Sequence, residues 1–302
     1  MEGSWLGPTS AFLSSVTWAL GTAAYGRLIR RYSGYAINTS RALVALPLFA
    51  LTVLAAGVWT DWGKLDGGRL GWLVVSIIAS YGLGDVFFFW STRTLGVPGA
   101  LAIASTYPIW TALGGWALGE APLSGLQWAG LLLVVGGMGL VILYGPQEVF
   151  ESGGPIPRFA GRRSVGLGLA FAASLLWALN NVAIDQGGTG LSTPAVNTVR
   201  MLLALGICPL MAAWLMPGTP RALPFTVLRR YFWVMALEAY GGATFFVYGL
   251  VHAPLAVAAT LSSLSPVLAV PIAWIMGLER PSWGRTFGVA AVAAGLGLLL
   301  SA

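Results

Sequence analysis

The segment Ile37-Asn38-Thr39-Ser40-Arg41-Ala42-Leu43-Val44-Ala45-Leu46 decides the fold, because the chain contains it twice. Its copy, Val196-Asn197-Thr198-Val199-Arg200-Met201-Leu202-Leu203-Ala204-Leu205, begins 159 positions later, and six of the ten residues are identical. Each copy opens a long apolar run and so places an arginine inside a predicted membrane-spanning helix, where a cation is costly. The repetition therefore predicts two related halves, each containing one intramembrane arginine.

The repeat extends well beyond this segment. The matching pairs are Trp18-Ala19-Leu20 with Trp177-Ala178-Leu179, Tyr81-Gly82 with Tyr240-Gly241, Glu120 with Glu279, Pro122 with Pro281, and, one position closer, Pro108 with Pro266 and Gly137 with Gly295. We therefore predict a first repeat at residues 1–145, a linker at 146–163 and a second repeat at 164–302.

The composition places the chain in a membrane. Of the 302 residues, 57% are hydrophobic and 9% are charged, whereas soluble domains carry about 25% charged residues. Although the net charge is +6, the cations are scattered between apolar runs and form no basic stripe. We therefore expect the lipid bilayer, and no nucleic acid, as the macromolecular partner.

Runs of about 20 apolar residues are long enough to span a bilayer, and they predict an all-α integral membrane protein with ten transmembrane helices. The predicted spans are 8–27, 36–57, 70–92, 97–118, 123–144, 164–184, 193–216, 230–252, 254–277 and 282–300. Because five is odd, the second five-helix unit enters the membrane from the opposite side, so the repeats are predicted to be inverted.

These doubled motifs resemble the EamA-like family of the drug/metabolite transporter superfamily. The resemblance rests on the Trp-Ala-Leu of helix 1, the arginine of helix 2, the proline of helix 4 and the Glu-x-Pro hinge, each present in both halves. It implies a secondary transporter or exporter. It also implies a central cavity built from helices 1–4 and 6–9, with helices 5 and 10 bracing it.

The distribution of cations predicts the orientation. Twelve lie on the loop side reached after helix 1, against Lys64 and Arg69 on the other side. Since positive loops stay cytoplasmic, we expect a plasma (inner) membrane protein with both termini outside the cytoplasm. The family resemblance instead implies cytoplasmic termini.

Two acids lie inside predicted spans, Asp85 in helix 3 and Glu238 in helix 8. At 1.5 Å per residue they lie about 10 and 12 Å from the cytoplasmic face. We expect them to face each other in the cavity, where their repulsion would allow one to hold a proton that a substrate ammonium displaces. The alternative is a protonated or snorkelling acid with a structural role.

Arg41 and Arg200 have two interpretations. Either they anchor a substrate carboxylate or phosphate, or they clamp carbonyl groups of a neighbouring broken helix. Their duplication favours the structural interpretation.

Aromatic and amide side chains at mid-span complete the predicted substrate-binding set, with packing as the alternative for each. These residues are Trp18, Trp177, Tyr81, Tyr240, Trp90, Tyr248, Asn180 and Asn181. Separately, Glu120 and Glu279 are predicted to cap the first turns of helices 5 and 10.

The predicted function is alternating-access transport of neutral or zwitterionic metabolites such as amino acids, with protons as a candidate coupling ion. The sequence shows no cluster of acids for a metal and no nucleophile with a base in reach. We therefore expect no enzyme activity, cofactor or metal, and a monomer or weak dimer. Efflux of cationic drugs is the alternative, followed by a membrane-embedded transferase.

Overall fold

The computed structural model describes residues 5–29, 31–145, 162–268, 270 and 282–301, and the regular elements in these ranges are all helical. The elements of the first half are α1 (Leu6–Ile29), α2 (Gly34–Ala56), a 3-10 turn (Trp59–Lys64), α3 (Gly67–Ile77), a first π segment (Ile78–Gly84), α4 (Asp85–Ala104), α5 (Tyr107–Ala117) and α6 (Gly125–Leu143). Those of the second half are α7 (Arg163–Gly188), α8 (Thr193–Leu215), α9 (Phe225–Met235), a second π segment (Ala236–Gly242), α10 (Ala243–His252), α11 (Leu255–Ser262) and α12 (Trp283–Leu300).

Seven helical stretches in the described ranges are long and apolar enough to cross a membrane. They are Gly34–Ala56, Gly67–Gly96, Gly125–Leu143, Arg163–Gly188, Thr193–Leu215, Phe225–His252 and Trp283–Leu300. The chain is therefore an all-helical, multi-pass membrane protein, while the number ten and the inverted relation of the halves stay predictions.

The three other predicted spans differ from these seven for local reasons. In α1 the hydroxyls of Ser14, Ser15 and Thr17 interrupt the apolar run, and each donates to a carbonyl three residues earlier. The predicted span 97–118 is divided, because α4 ends at Ala104 and α5 begins at Tyr107. In the span predicted at 254–277, α11 ends at Ser262, and residues 269 and 271–277 lie outside the described residues, as does most of the predicted linker.

The two halves pack against each other through corresponding helices. α1 contacts α10 and α11, α7 contacts α3, α4 and α5, and α2 contacts α8. Outside this group α6 pairs with α12, where a Cβ on Gly130 or Gly137 would lie 2.7 Å from a backbone oxygen of the partner helix. Glycine is therefore required for this close approach.

Glu120 connects the two halves in a way that the sequence did not predict. Its Oε1 accepts a hydrogen bond from the backbone N–H of Leu255, 3.1 Å away, at the start of α11. The predicted cap of the following helix is wrong, because Ser124 and Gln127 form the capping box that begins α6. The equivalent Glu279 lies outside the described residues.

The connector between α2 and α3 also contacts the second half. Asp61 Oδ1 lies 2.6 Å from Lys64 Nζ, and Asp61 Oδ2 accepts the backbone N–H of Ser192, which begins α8, at 2.9 Å. Hydrogen bonds from Lys64 and Ser192 lower the pKa of Asp61 to about 2. A connector of the second half likewise contacts the first half: the N–H of Leu223, between α8 and α9, donates to Ser40 Oγ of α2 at 2.9 Å.

Candidate functional site

The arginine of the first repeat copy contacts two carboxylates from different halves. Arg41 lies seven residues into α2, about 10 Å along the helix. Its Nη1 lies 3.3 Å from Oδ2 of Asp85, and its Nε lies 3.4 Å from Oε2 of Glu238. The three side chains are 12–17% exposed, so the ion pairs are largely removed from water. We call Asn38, Arg41, Tyr81, Asp85, Trp177 and Glu238 the Arg41 cluster.

Both acids lie at irregular turns of their helices. Asp85 directly follows the first π segment, and Glu238 lies within the second. A π turn adds a residue to the hydrogen-bonded loop and changes the direction of the side chains that follow, and such turns are frequent at functional sites. The two irregular segments therefore present their carboxylates to the same guanidinium.

Asn38 holds this arrangement together from one turn before the arginine. Its Oδ1 accepts from Arg41 Nη1 at 3.1 Å, and its Nδ2 lies 2.9 Å from the carbonyl oxygen of Tyr81 and 3.2 Å from Asp85 Oδ2. The Tyr81 ring lies under the guanidinium of Arg41, with the ring centroid 4.7 Å from Cζ. Hydrogen bonding and a cation–π contact thus fix the orientation of the guanidinium.

Trp177 of α7 contacts the cluster from the second half. Its Nε1 donates to Asp85 Oδ1 at 3.1 Å. A Cβ on Gly84 would lie 2.8 Å from the indole ring, so the indole can pack there only against glycine. The equivalent Trp18 packs in the same manner on Gly242 and contacts Phe246, with the ring centroids 5.0 Å apart and the ring planes inclined at 58°.

The arginine of the second repeat copy has different partners. Arg200 is 3% exposed. It donates from Nε to Ser76 Oγ at 3.1 Å, from Nη1 to Asn197 Oδ1 at 3.3 Å and from Nη2 to Asn180 Oδ1 at 3.1 Å. Asn197 Nδ2 in turn lies 3.1 Å from the carbonyl oxygen of Ala243, directly after the second π segment. The Asn-x-x-Arg unit is thus built in the same way in both halves, but the partners of the two guanidinium groups differ.

A chain of amide hydrogen bonds leads away from Arg200. Asn180 Nδ2 donates to Asn181 Oδ1 at 3.4 Å, and Asn181 Nδ2 donates to Thr111 Oγ1 at 3.1 Å. Thr111 then bonds the carbonyl of Tyr107, the first residue of α5, at 3.0 Å. Asn180 and Asn181 therefore connect Arg200 with the break between α4 and α5.

The remaining predicted site residues lie at different distances from the Arg41 cluster. Tyr240 lies two residues beyond Glu238, where its hydroxyl is 2.7 Å from Thr52 Oγ1 and its ring packs on Phe49. Trp90 is buried and contacts Phe87. Tyr248 stacks on His252 at 4.1 Å, ten residues, or about 15 Å, beyond Glu238, so the structure does not bring it to the cluster.

The predicted repulsion between Asp85 and Glu238 is wrong, because Arg41 contacts both of them. The arrangement is therefore two carboxylates paired with one guanidinium, and not two acids that face each other directly. The carbonyl groups that Arg41 and Arg200 were expected to clamp are bonded instead by the neighbouring asparagines, Asn38 and Asn197.

Sequence reasoning missed several members of these sites. Asn38 and Asn197 are identical in both copies and precede the arginine by three residues, and this one-turn spacing was an available signal. The repeated Tyr-Gly pairs, which lie in the two π segments, were a weaker signal for these segments. Ser76 and Thr111 had none, because only the folded chain brings them to Arg200 and Asn181.

The fold and the buried ion-paired site define a helical membrane protein with charged groups at the contact of two similar halves. A sequence model of the EamA-like transporter family matches residues 5–143 and 164–301. The chain belongs to the EamA-like transporter family, and the predicted resemblance is confirmed. The drug/metabolite transporter superfamily includes this family, so membership of the superfamily follows.

Two individual proteins are similar over nearly the whole chain. An uncharacterized transporter of Archaeoglobus fulgidus is 27% identical over 289 residues, which cover 95% of each chain. One solved crystal structure superposes with a TM-score of 0.72 at 20% identity, covering 98% of this chain and 94% of the other; at that identity it supports the fold alone.

Proposed function

We propose that this protein exports small neutral or zwitterionic metabolites, such as amino acids, by alternating access between its two halves. The observation that carries the proposal is the contact of Arg41 with both Asp85 and Glu238, because it joins α2 and α4 of the first half to the second π segment. In alternating access the two halves must separate, and the ion pairs between them must then break. A charged substrate can take the place of one partner in these ion pairs.

The two charged groups of a zwitterion match the two kinds of charged group in this site, the carboxylates and the guanidinium. Its ammonium can take the place of Arg41 beside Asp85 or Glu238, and its carboxylate can take the place of those acids beside a guanidinium. No ionised group is then left without a partner during the exchange, which matters because an unpaired charge at membrane depth is unfavourable. Arg41, Asp85 and Glu238 are therefore the proposed substrate-binding centre.

The aromatic and amide residues near the cluster form its proposed walls. Tyr81 and Trp177 contact the charged groups directly, while Tyr240 and Trp18 pack at the second π segment. We propose Trp90 and Tyr248 as more distant contributors on the sequence evidence. A single lysine, Lys64, which pairs with Asp61 in a connector, argues against phosphorylated substrates.

Ten spans in two inverted units, with extracytoplasmic termini in the plasma membrane, remain part of the proposal. The proposed relation of the two units is supported by features that occur in both halves. These are the π segments, the tryptophan–glycine contacts and the connector contacts from each half to the other. A reporter fused after Ala302 should be active only outside the cytoplasm. Cytoplasmic activity would overturn the orientation and leave the site unaffected.

Efflux of cationic amphipathic compounds is the second candidate. The observation that favours it is the aromatic group around Asp85, where Trp177 lies 5.4 Å from Phe88 and 6.0 Å from Tyr107 between ring centroids. Flat cations bind between such rings and a carboxylate.

Binding to the purified protein separates the two candidates. We expect members of a panel of L-amino acids to raise the unfolding temperature in detergent, because they bind the folded state. Stabilisation by hydrophobic amines alone would support drug efflux, and stabilisation by sugars alone would contradict the charged site.

A further inference from the structure

Arg200 is a buried cation whose partners in the described residues are all neutral. Its three hydrogen bonds go to the oxygen atoms of Ser76, Asn197 and Asn180. No carboxylate of the described ranges lies within 4.0 Å of it. Burying a guanidinium without a counter-charge is unfavourable even when its N–H groups are bonded.

The comparison with Arg41 shows that neutral partners are not a general property of the arginine in this repeat. Both arginines bond an asparagine three residues earlier, and both asparagines bond a carbonyl near a π segment. Arg41 nevertheless contacts two carboxylates at 3.3 and 3.4 Å. Among the described residues, one guanidinium thus contacts two carboxylates in the first site, whereas the guanidinium of the second site contacts only neutral oxygen atoms.

Arg200 also retains donors for a ligand. A guanidinium has five N–H groups, and three of them make the bonds given above, one from each nitrogen. One N–H on each terminal nitrogen is left without an acceptor among the described residues. Two such donors are the number that a carboxylate accepts in a two-bond contact.

The two arginine sites are close enough to act on one small molecule. Ser76, which accepts from Arg200 Nε at 3.1 Å, lies five residues, or about 7 Å along the helix, before Tyr81. The Tyr81 ring lies 4.7 Å from Cζ of Arg41, so a molecule that contacts Asp85 with its positive end is also near Arg200.

We propose that Arg200 binds the carboxylate of a zwitterionic substrate whose ammonium is held by Asp85 and Glu238. This inference rests on the proposed transport function and deepens it, because it orients the substrate between the halves. Arg41, already paired with two acids, then serves as the counter-ion of the empty site, and the two copies of the repeated segment have different tasks.

The test compares each L-amino acid with its primary amide, which keeps the ammonium and loses the carboxylate. For the wild type we expect the dissociation constant of the amide to be larger by about tenfold to a hundredfold, the usual effect of losing a charged hydrogen-bonded contact. In Arg200→Gln this difference should disappear, because the affinity for the amino acid falls to that for the amide. Arg230→Gln, at an exposed position of α9, is the matched control and should retain the difference.

A second variant guards against misfolding of Arg200→Gln. Asn180→Asp is nearly isosteric and places a carboxylate on the terminal nitrogen that Asn180 Oδ1 now contacts at 3.1 Å. It neutralises Arg200 while retaining it, so it should also remove the difference between acid and amide. Persistence of the difference in Asn180→Asp, or in folded Arg200→Gln, would overturn the inference.

The ligand panel separates this inference from the proposed function. If carboxylic acids that lack an ammonium bind through Arg200, the assignment of Arg200 as a carboxylate site holds and the zwitterionic substrate class fails. If L-amino acids bind, but their preference over the amides does not depend on Arg200, the inference fails and the proposed function stands. If no member of the panel binds the wild type, both fail.

Discussion

Nε of Arg41 lies 3.4 Å from Oε2 of Glu238, and this contact joins a residue of the first repeated segment to an irregular turn of the opposite half. The same guanidinium contacts Asp85 of its own half at 3.3 Å. An ion-paired group that bridges two similar halves stabilises one arrangement of those halves and must be rearranged to reach another.

Removing the bridging cation should destabilise the protein. Arg41→Gln leaves two carboxylates near each other, largely out of water, and breaking such a buried pair costs about 3–5 kcal/mol. We expect a lower unfolding temperature in detergent, and a partial recovery when Glu238→Gln is added. Equal unfolding temperatures for Arg41→Gln and the wild type would show that the bridge contributes nothing to stability.

The indole N–H of Trp177 is predicted to contribute more to the free energy of unfolding than that of Trp110. Trp177→Phe removes the 3.1 Å bond to the Asp85 carboxylate, and a bond to a charged group contributes about 1.5–3 kcal/mol. Trp110→Phe is the matched control, because its Nε1 bonds the neutral hydroxyl of Thr106 at 3.4 Å. Chemical denaturation of both variants measures the difference, and a larger loss in the control would contradict the assigned geometry.

The asparagines of the repeat should be important in both halves. Asn38→Ala and Asn197→Ala each remove the amide donor of a buried carbonyl and one acceptor of an arginine, and an unsatisfied buried group costs about 1–3 kcal/mol. Thermal unfolding should detect both losses. In binding assays Asn38→Ala should weaken ammonium-bearing ligands, because Asn38 also contacts Asp85, whereas Asn197→Ala should act through Arg200.

The connector contact of Asp61 predicts a pH dependence of stability. Its pKa is lowered from 3.8 to about 2 in the folded protein, so its contribution is complete above the unfolded value and is lost as the pH falls through about 2. The unfolding temperatures of the wild type and Asp61→Asn should therefore differ at neutral pH and converge towards about pH 2. A difference that stays constant down to that pH would contradict the assigned contacts with Lys64 and Ser192.

The sequence predicted the helical membrane class and the family, because apolar runs and duplicated segments are visible in one dimension. It also placed the charges of Arg41, Asp85 and Glu238 inside the spans, while their roles in transport stay predictions. It did not predict that Arg41 would lie between the two acids. The number of residues in a helix sets how deep a side chain lies in the membrane, and this number can be read from the sequence. The direction in which a side chain points after a π turn depends on that turn, which the sequence does not show. The partner of Glu120 was missed for a related reason: its hydrogen bond reaches a helix of the other half.

Counterflow tests the central claim most directly, the claim that the Arg41 cluster is the transport site. Proteoliposomes preloaded with an unlabelled L-amino acid mixture should accumulate the radiolabelled mixture when they contain the wild type or the control Asp185→Asn, which alters an acid of α7 outside the cluster. In Asp85→Asn and in Glu238→Gln the accumulation should fall by about tenfold or more, because the ammonium loses a charged partner. Wild-type accumulation in both of these folded variants would contradict the account.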